Sequence, residues 1–309
     1  MNLRLGSPPK TMRVRSLTLL AALILALAAG STAQEPIPAP PQTDAEKAAL
    51  LDLVLTHQKE SDKLMELYER VERVETRKNP GDPVATEIKT SRVVPAGTGV
   101  DHIPIGPDGK PTDPDAYHTE LVKLERALSW AANDGHAQRD AYEKIAKKWK
   151  ERQELIQATR TAFLFTLVSN ETREGHILHK YRMEPNPAYK PTSRATAIFA
   201  KVQGFVWIDP AAAQIARVEG EVTDDITVGL FLAKIYKGSH FMQERYEMLP
   251  GLWMPSFSQY DFDGRKFFSA IAIHERTFYS QYKRIGAPRE ALAAIRAELS
   301  KPGGVASDP

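Results

Sequence analysis

The chain has 309 residues, 42% of them apolar and 26% charged, a formal net charge of +2 and no cysteine. These values are typical of a globular protein and exclude collagen-like, low-complexity and multi-span membrane proteins. The lack of cysteine excludes disulfide scaffolds, thiolate zinc sites, iron–sulfur clusters and cysteine nucleophiles.

The first 33 residues have the pattern of a secretory signal. The basic residues Arg4, Lys10, Arg13 and Arg15 precede an apolar run of 13 residues, 17–29, and small residues follow. As a helix this run spans about 20 Å, which is short of a hydrocarbon core of about 30 Å. We therefore expect cleavage after Ala33 rather than a membrane anchor, and a periplasmic protein that does not span the membrane afterwards.

Cleavage at this position would reverse the sign of the net charge. From Gln34 onwards the chain carries 37 Lys plus Arg against 39 Asp plus Glu. Such a chain lacks the basic surface that phosphate neutralisation needs, so nucleic acid is not expected as a partner. Residues 34–42 contain four prolines and are predicted to form an extended tether.

A single folded domain is predicted from residue 43 to residue 309. Thr43 and Glu46 have the spacing of a capping box in front of an apolar helical stripe, and this helix is expected to end near Asp62. The next segment, Tyr68–Thr76, suits either a helix or a strand by its residues alone.

Two helical patterns come after the first extended segments. Asp113 and Pro114 supply a cap and a first-turn proline. Apolar residues then recur at spacings of four and three, namely Tyr117, Leu121, Leu124, Leu128 and Ala131. A second pattern begins near His136, and together they predict a helical hairpin over about residues 114–161, inserted between strands.

From residue 162 onwards the apolar period changes from that of a helix to two, which is the period of a strand. One such segment alternates apolar residues with Arg217, Glu219 and Glu221. About seven such strands, with Asp263-Gly264 as a hairpin turn, predict an antiparallel sheet. A short amphipathic helix over residues 288–300 follows it.

Catalytic and metal-binding patterns are weak. Glu219 and Glu221 would project from one strand face about 6.5–7 Å apart, which is compatible with glycoside hydrolysis, but a row of charges is more typical of a solvated sheet face. His176 and His179 would point to opposite faces of a strand, which does not suit a metal site. We expect neither an enzyme nor a cofactor or metal.

The strongest signal is the aromatic content of the sheet. A sheet of this many strands curls, and if helices do not fill its concave side, an apolar cavity remains that suits an acyl chain. The alternative is an aromatic core filled by the helices. The residues expected to line such a cavity are Trp207, Phe241, Tyr246, Trp253 and Phe268.

Residues 204–222 contain Gly-x-x-Trp-Ile-Asp followed by Arg-Val-Glu. This segment resembles a hairpin of the outer-membrane lipoprotein-sorting carriers, the LolA/LolB-like group. Further similar segments, in the same order, are residues 68–77, 108–111, 163–168, 252–255 and 279–283. The resemblance favours a strand for Tyr68–Thr76. It implies an α+β fold in which a curved antiparallel half-barrel holds helices in its mouth and an apolar cavity takes lipoprotein acyl chains.

The expected function is that of a periplasmic, non-enzymatic binding protein that carries lipid or lipoprotein acyl chains. The alternative is a module that docks an envelope protein through residues 114–161 and has a filled core. The lipid-anchored members of the LolA/LolB-like group carry a cysteine directly after the signal, where this chain has Gln34. No lipid attachment is therefore expected at that position.

Overall fold

The computed structural model describes residues 43–133, 135–228 and 233–301. The predicted signal and tether, residues 1–42, lie outside the described residues. The helices are α1 (Asp44–Met65), α2 (Pro114–Ala131), α3 (His136–Ala162) and α4 (Pro288–Leu299), with a 3-10 helix at Thr196–Lys201. Within these ranges, no helix is long and apolar enough to cross a membrane.

Twelve strands build one antiparallel sheet, which confirms the predicted α+β class. They are β1 (Tyr68–Thr76), β2 (Glu87–Pro95), β3 (Val100–Pro104), β4 (Phe163–Arg173), β5 (His176–Pro185), β6 (Val202–Asp209), β7 (Gln214–Val222), β8 (Ile226–Val228), β9 (Ala233–Ile235), β10 (His240–Leu249), β11 (Leu252–Lys266) and β12 (Ser269–Arg284).

The order across the sheet is β3-β2-β1-β12-β11-β10-β7-β6-β5-β4, with the short β8–β9 pair attached to the end of β11. β1 pairs with β12, so the first and last strands meet in the middle of the sheet. β3 and β4 are the two edges, and the sheet is not closed.

The first helix begins as its sequence predicts. The hydroxyl of Thr43 accepts a hydrogen bond from the backbone N–H of Glu46, and the Glu46 carboxylate accepts one from the backbone N–H of Thr43. The helix continues to Met65, beyond the expected end near Asp62, and the buried Asp62 accepts a hydrogen bond from Gln58 one turn earlier in the same helix. The strand at Tyr68–Thr76 is confirmed as β1.

The apolar stripe of α2 is buried as its spacing predicts. Tyr117, Leu121, Leu124, Leu128 and Ala131 all lie in the interior. The first four form one cluster with Val94 of β2, Ile103 of β3 and Ile295 of α4. The helix α2 is therefore part of the core.

The predicted hairpin over residues 114–161 does not describe how these two helices pack. α2 packs chiefly against α4 and β3, whereas α3 packs against α1, β4 and the 3-10 helix. The reason lies in the two apolar faces. The stripe of α2 is wholly buried, whereas Tyr142, Ile145 and Trp149 of α3 stay half exposed.

The two groups of helices cover opposite faces of the sheet at opposite ends. Leu51 and Val54 of α1 pack against Tyr181 and Ile208, which share one face of β5 and β6. The cluster around α2 and α4 contacts the other face, on β1, β2 and β3. The second face is therefore not covered by these helices over β5, β6, β7 and β10.

The prediction of a hairpin turn at Asp263-Gly264 is wrong. Both residues lie inside β11, and the turn that joins β11 to β12 is at Phe267 and Phe268. A side chain is not tolerated at Gly264, because a Cβ there would stand 2.1 Å from the backbone oxygen of Lys234 in β9. Gly264 thus permits the close approach of β9, and such an approach is a common reason for glycine within a strand.

Candidate functional site

Residues that oppose each other directly in antiparallel strands share a face of the sheet. One such row crosses six strands and consists of Lys180, Trp207, Arg217, Glu244, Phe257 and Phe278. The neighbouring row consists of Arg182, Phe205, Glu219, Met242 and Gln259. We name the surface made by these two rows the charged-aromatic face.

Trp207 lies at the centre of cationic contacts on this face. The Nζ of Lys180 is 4.7 Å from the centroid of the indole ring, and the Cζ of Arg217 is 4.8 Å from it. The indole Nε1 donates a hydrogen bond to Glu171 at 2.7 Å. Cations over an indole ring are favourable, and here they also shield the ring from water. Trp207 is therefore nearly inaccessible to a ligand.

Arg217 also begins a chain of ion pairs. Its guanidinium donates to Glu219 at 2.7 Å and to Glu244 at 3.1 Å, and Glu244 accepts a second hydrogen bond from Arg173 at 3.0 Å. These side chains are partly exposed, so each pair contributes at most about 1 kcal/mol. Their main effect is to hold Arg173 and Glu244 in place beside the aromatic residues of the next strands.

Two open grooves lie along this face. The first has a volume of about 440 Å³ and contains Phe205, Arg182, Glu219, Glu221 and His240 in its lining; we name it the carboxylate groove. The second has a volume of about 610 Å³, and we name it the aromatic groove. Its lining residues are Arg173, Glu174, Met242, Glu244, Tyr246, Ser256, Phe257 and Phe278.

The floor of the aromatic groove is apolar and its margin is charged. The rings of Phe257 and Phe278 have centroids 5.1 Å apart, and Phe278 remains 39% exposed. The Cζ of Arg73 lies 5.5 Å from the centroid of Phe278. Burial raises the pKa of the Tyr246 phenol above its ordinary value, which already lies well above neutrality, so this side chain is uncharged at neutral pH. Such a groove can hold an amphiphile, with its apolar part on the rings and its polar end beside Arg173.

Three of the five predicted lining residues lie near one another. Tyr246 lines the aromatic groove. Trp253 is buried in a cluster with Trp207 and stacks edge-on against His176 at a centroid distance of 5.1 Å. A small cleft lined by both Tyr246 and Trp253 adjoins the aromatic groove.

The other two predicted residues lie elsewhere. Phe241 is on the opposite face of β10, where its ring covers Gly220; a Cβ on that glycine would stand 2.5 Å from the ring. Phe268 is fully exposed at the turn between β11 and β12. The five side chains therefore do not line one common cavity.

Sequence reasoning missed Met242, Phe257 and Phe278 as groove residues. Met242 could have been predicted, because it alternates in phase with Tyr246 along β10. Phe257 could not have been predicted in this way, because the pairing of β10 with β11 shifts register between Glu244 and Arg245. Simple alternation along β11 fails at this bulge, since an extra residue reverses the face of everything beyond it.

No group of metal-ligating side chains occurs among the residues that the structure describes. The His176 Nδ1 lies 2.7 Å from Asp209, while His179 contacts Tyr181 on the other face of β5. The two histidines thus point apart, as their spacing predicts. Burial lowers the pKa of His179, so this imidazole is held in its neutral form.

The fold and this face define an α+β protein with a large, open antiparallel sheet and a partly exposed aromatic and ionic surface. No protein-family model matches the sequence, and no curated protein matches it. Among solved structures, a DUF1329 family protein from Desulfovibrio piger is a distant match, with 11% identity and a TM-score of 0.27. The match covers 78% of this chain and 94% of that chain.

Proposed function

We propose that this protein is a non-enzymatic binding protein that carries an amphiphile, a lipid or a lipoprotein acyl chain, in the aromatic groove. The supporting observation is the groove itself. Its volume of about 610 Å³ is within the range of about 300–1,000 Å³ typical of ligand sites. Its apolar floor next to charged side chains matches the two chemical parts of an amphiphile.

The proposed ligand lies on the charged-aromatic face and not in a cavity between α1 and the sheet. Where α1 crosses β5 and β6, the space is filled by Leu51, Val54, Tyr181 and Ile208, and a second cleft of about 560 Å³ beside α1 is lined mainly by polar residues. The aromatic groove is lined by strands and the β4–β5 turn, with no helix residue among those that the structure describes, and Phe278 is exposed there. We therefore propose that the acyl chain binds on this face. We also propose that the curved sheet is a half-barrel like that of the LolA/LolB-like group.

The energy of such binding is sufficient for reversible carriage. Apolar surface removed from water contributes about 25 cal/mol per Å², so a few hundred Å² gives several kcal/mol before the entropy costs of association. An anionic head group would lie beside Arg173, whose side chain is 35% exposed and shares Glu244 with Arg217. The protein would act in the periplasm if residues 1–33 are removed on export.

The aspartate variant Phe278→Asp is expected to weaken binding of a fluorescent fatty acid about tenfold or more, because a carboxylate replaces the exposed ring of the groove floor. The measurement is a fluorescence titration. The control Ile177→Asp changes a side chain with 55% exposure on β5, outside the groove, and should bind as the wild type does. Equal affinities for all three proteins would contradict the proposal.

The head-group part of the proposal has a separate readout. In Arg173→Gln, the fatty acid should bind more weakly while a fatty alcohol of the same length binds as before, because only the acid carries a negative charge. If the two ligands lose affinity equally, Arg173 does not hold the head group.

The docking of an envelope protein through residues 114–161 stays a prediction, and we propose α3 as the helix that would make the contact. The predicted apolar stripe of α2 is buried and cannot be the docking face. The outer face of α3 is exposed and basic, with Lys144, Lys147, Lys148 and Lys150.

A further inference from the structure

The hairpin of β11 and β12 extends beyond both of its main neighbours. β10 pairs with β11 only as far as Asp261, and β1 pairs with β12 only from Glu275 onwards. The backbone oxygen of His274 still accepts a hydrogen bond from Arg77, directly after β1, so the five residues 269–273 reach about 16 Å further, at roughly 3.3 Å per residue. We name residues 264–273 the hairpin tip; β9 pairs with only its first three residues.

The hairpin tip exposes apolar side chains where a turn normally has polar ones. Phe267 is 52% exposed and Phe268 is fully exposed, and Ile271 and Ile273 are exposed beside them. Phe267 also has a φ of +54°, which bulky side chains rarely adopt. A glycine or asparagine would suit this turn better. Phe267 is thus unfavourable for the turn, and both rings are unfavourable in water, which points to a role outside the isolated chain.

The charged side chains within the hairpin tip are all basic, although the acidic Asp263 directly precedes it. The hairpin tip and the adjoining residues 233–237 contain Arg265, Lys266, Lys234 and Lys237 and no acidic residue. The guanidinium of Arg265 donates to the backbone oxygen of Phe267, so a cation is held at the turn itself. Lys234 has a counterion, Asp225, at 2.6 Å.

We propose that the hairpin tip inserts Phe267 and Phe268 into the interface of a membrane that contains anionic phospholipid. Aromatic side chains flanked by cations are the composition that binds this interface, because the rings enter the boundary of the acyl region while the cations meet anionic head groups. A projecting tip can reach the head-group layer without exposing the core. This inference does not rest on ligand binding in the aromatic groove.

Vesicle flotation tests the proposal. Every variant is used in the form recovered from cells, so that all of them have the same N-terminus. The wild type should float with vesicles of mixed phosphatidylcholine and phosphatidylglycerol and much less with phosphatidylcholine alone. The double variant Phe267→Ser, Phe268→Ser should reduce the partition coefficient about tenfold or more. The control Leu164→Ser, Ile177→Ser removes two exposed apolar side chains elsewhere and should float as the wild type does.

Two results would overturn the proposal: flotation that is equal in the tip variant and the wild type, or a wild type that binds neither vesicle. A tip variant that loses self-association but not flotation would instead assign the hairpin to contacts between copies of the chain. Circular dichroism should show that the variant folds. Because Phe278→Asp leaves the hairpin tip intact, that variant should still float, which separates failure of this inference from failure of the groove proposal.

Discussion

Replacement of Arg92 by methionine is expected to lower the free energy of unfolding by about 3–5 kcal/mol, the cost of breaking a buried ionic network from one side. Arg92 donates from Nε and Nη2 to Glu69 at 2.9 and 2.6 Å. Its Nη1 donates to the hydroxyl of Tyr117 at 2.7 Å and to Glu298 at 2.9 Å. Methionine would leave the largely buried Glu298 carboxylate without its counterion and Glu69 with the more distant Lys283, at 3.8 Å.

This network joins four separate elements of the fold, β1, β2, α2 and α4. Burial opposes the charge on Arg92, but the carboxylates of Glu69 and Glu298 outweigh burial and raise its pKa. The arginine therefore stays protonated throughout the accessible pH range. The loss in Arg92→Met should accordingly come from the carboxylates that lose their arginine partner and not from a change in arginine protonation.

Urea unfolding followed by circular dichroism would measure the effect of Arg92→Met. The control Lys123→Met breaks an exposed ion pair with Glu120 on the outside of α2, and its cost should be no more than about 0.5 kcal/mol. A double variant, Arg92→Met with Glu69→Gln, should recover part of the loss because one buried charge is removed. A cost below about 1 kcal/mol for Arg92→Met would show that the network is not a stabilising contact.

Gly204→Ala should be the next most damaging substitution, with a cost of about 3 kcal/mol, at the upper end of the range for overpacking. A Cβ at this position would stand 2.0 Å from the backbone oxygen of Glu219 and 2.8 Å from the Cα of Gly220. Both contacts are with the backbone of β7, so no side-chain rotation can relieve them. β6 and β7 would have to separate beside the carboxylate groove.

Thermal unfolding of Gly204→Ala compares directly with that of Gly81→Ala. A Cβ on Gly81 meets nothing within 4 Å, so this control should unfold close to the wild type. A melting temperature for Gly204→Ala that matches the control would mean that the strands accept a methyl group at this position, contrary to the close approach described above.

The parts of the fold that sequence reasoning predicted are those in which local chemistry decides the outcome. The capping box at Thr43 and the apolar stripe from Tyr117 to Ala131 each follow from spacing within one element. The strand β1 followed only from the resemblance, because Val71 and Val74 suit both a helix and a strand. Its pairing with β12, more than 190 positions later, depends on contacts that local patterns do not encode.

The predictions that were wrong failed because of contacts between residues far apart in the sequence. Gly264 has the sequence signal of a turn, but the approach of β9 places it inside a strand. α2 and α3 are neighbours in sequence, yet burial of the α2 stripe against α4 separates their packing partners. The candidate site was only partly predictable for the same reason. Tyr246 could be found from alternation, but Phe257 lies beyond a bulge that reverses the face.

The claim that the aromatic groove binds an amphiphile can be tested by native mass spectrometry of the wild type and Phe278→Asp, each incubated with a mixture of fatty acids and phospholipids. We predict a bound lipid mass on the wild type that is lost in Phe278→Asp and kept in Ile177→Asp. An apo mass for the wild type, or a lipid equally retained by Phe278→Asp, would contradict the claim.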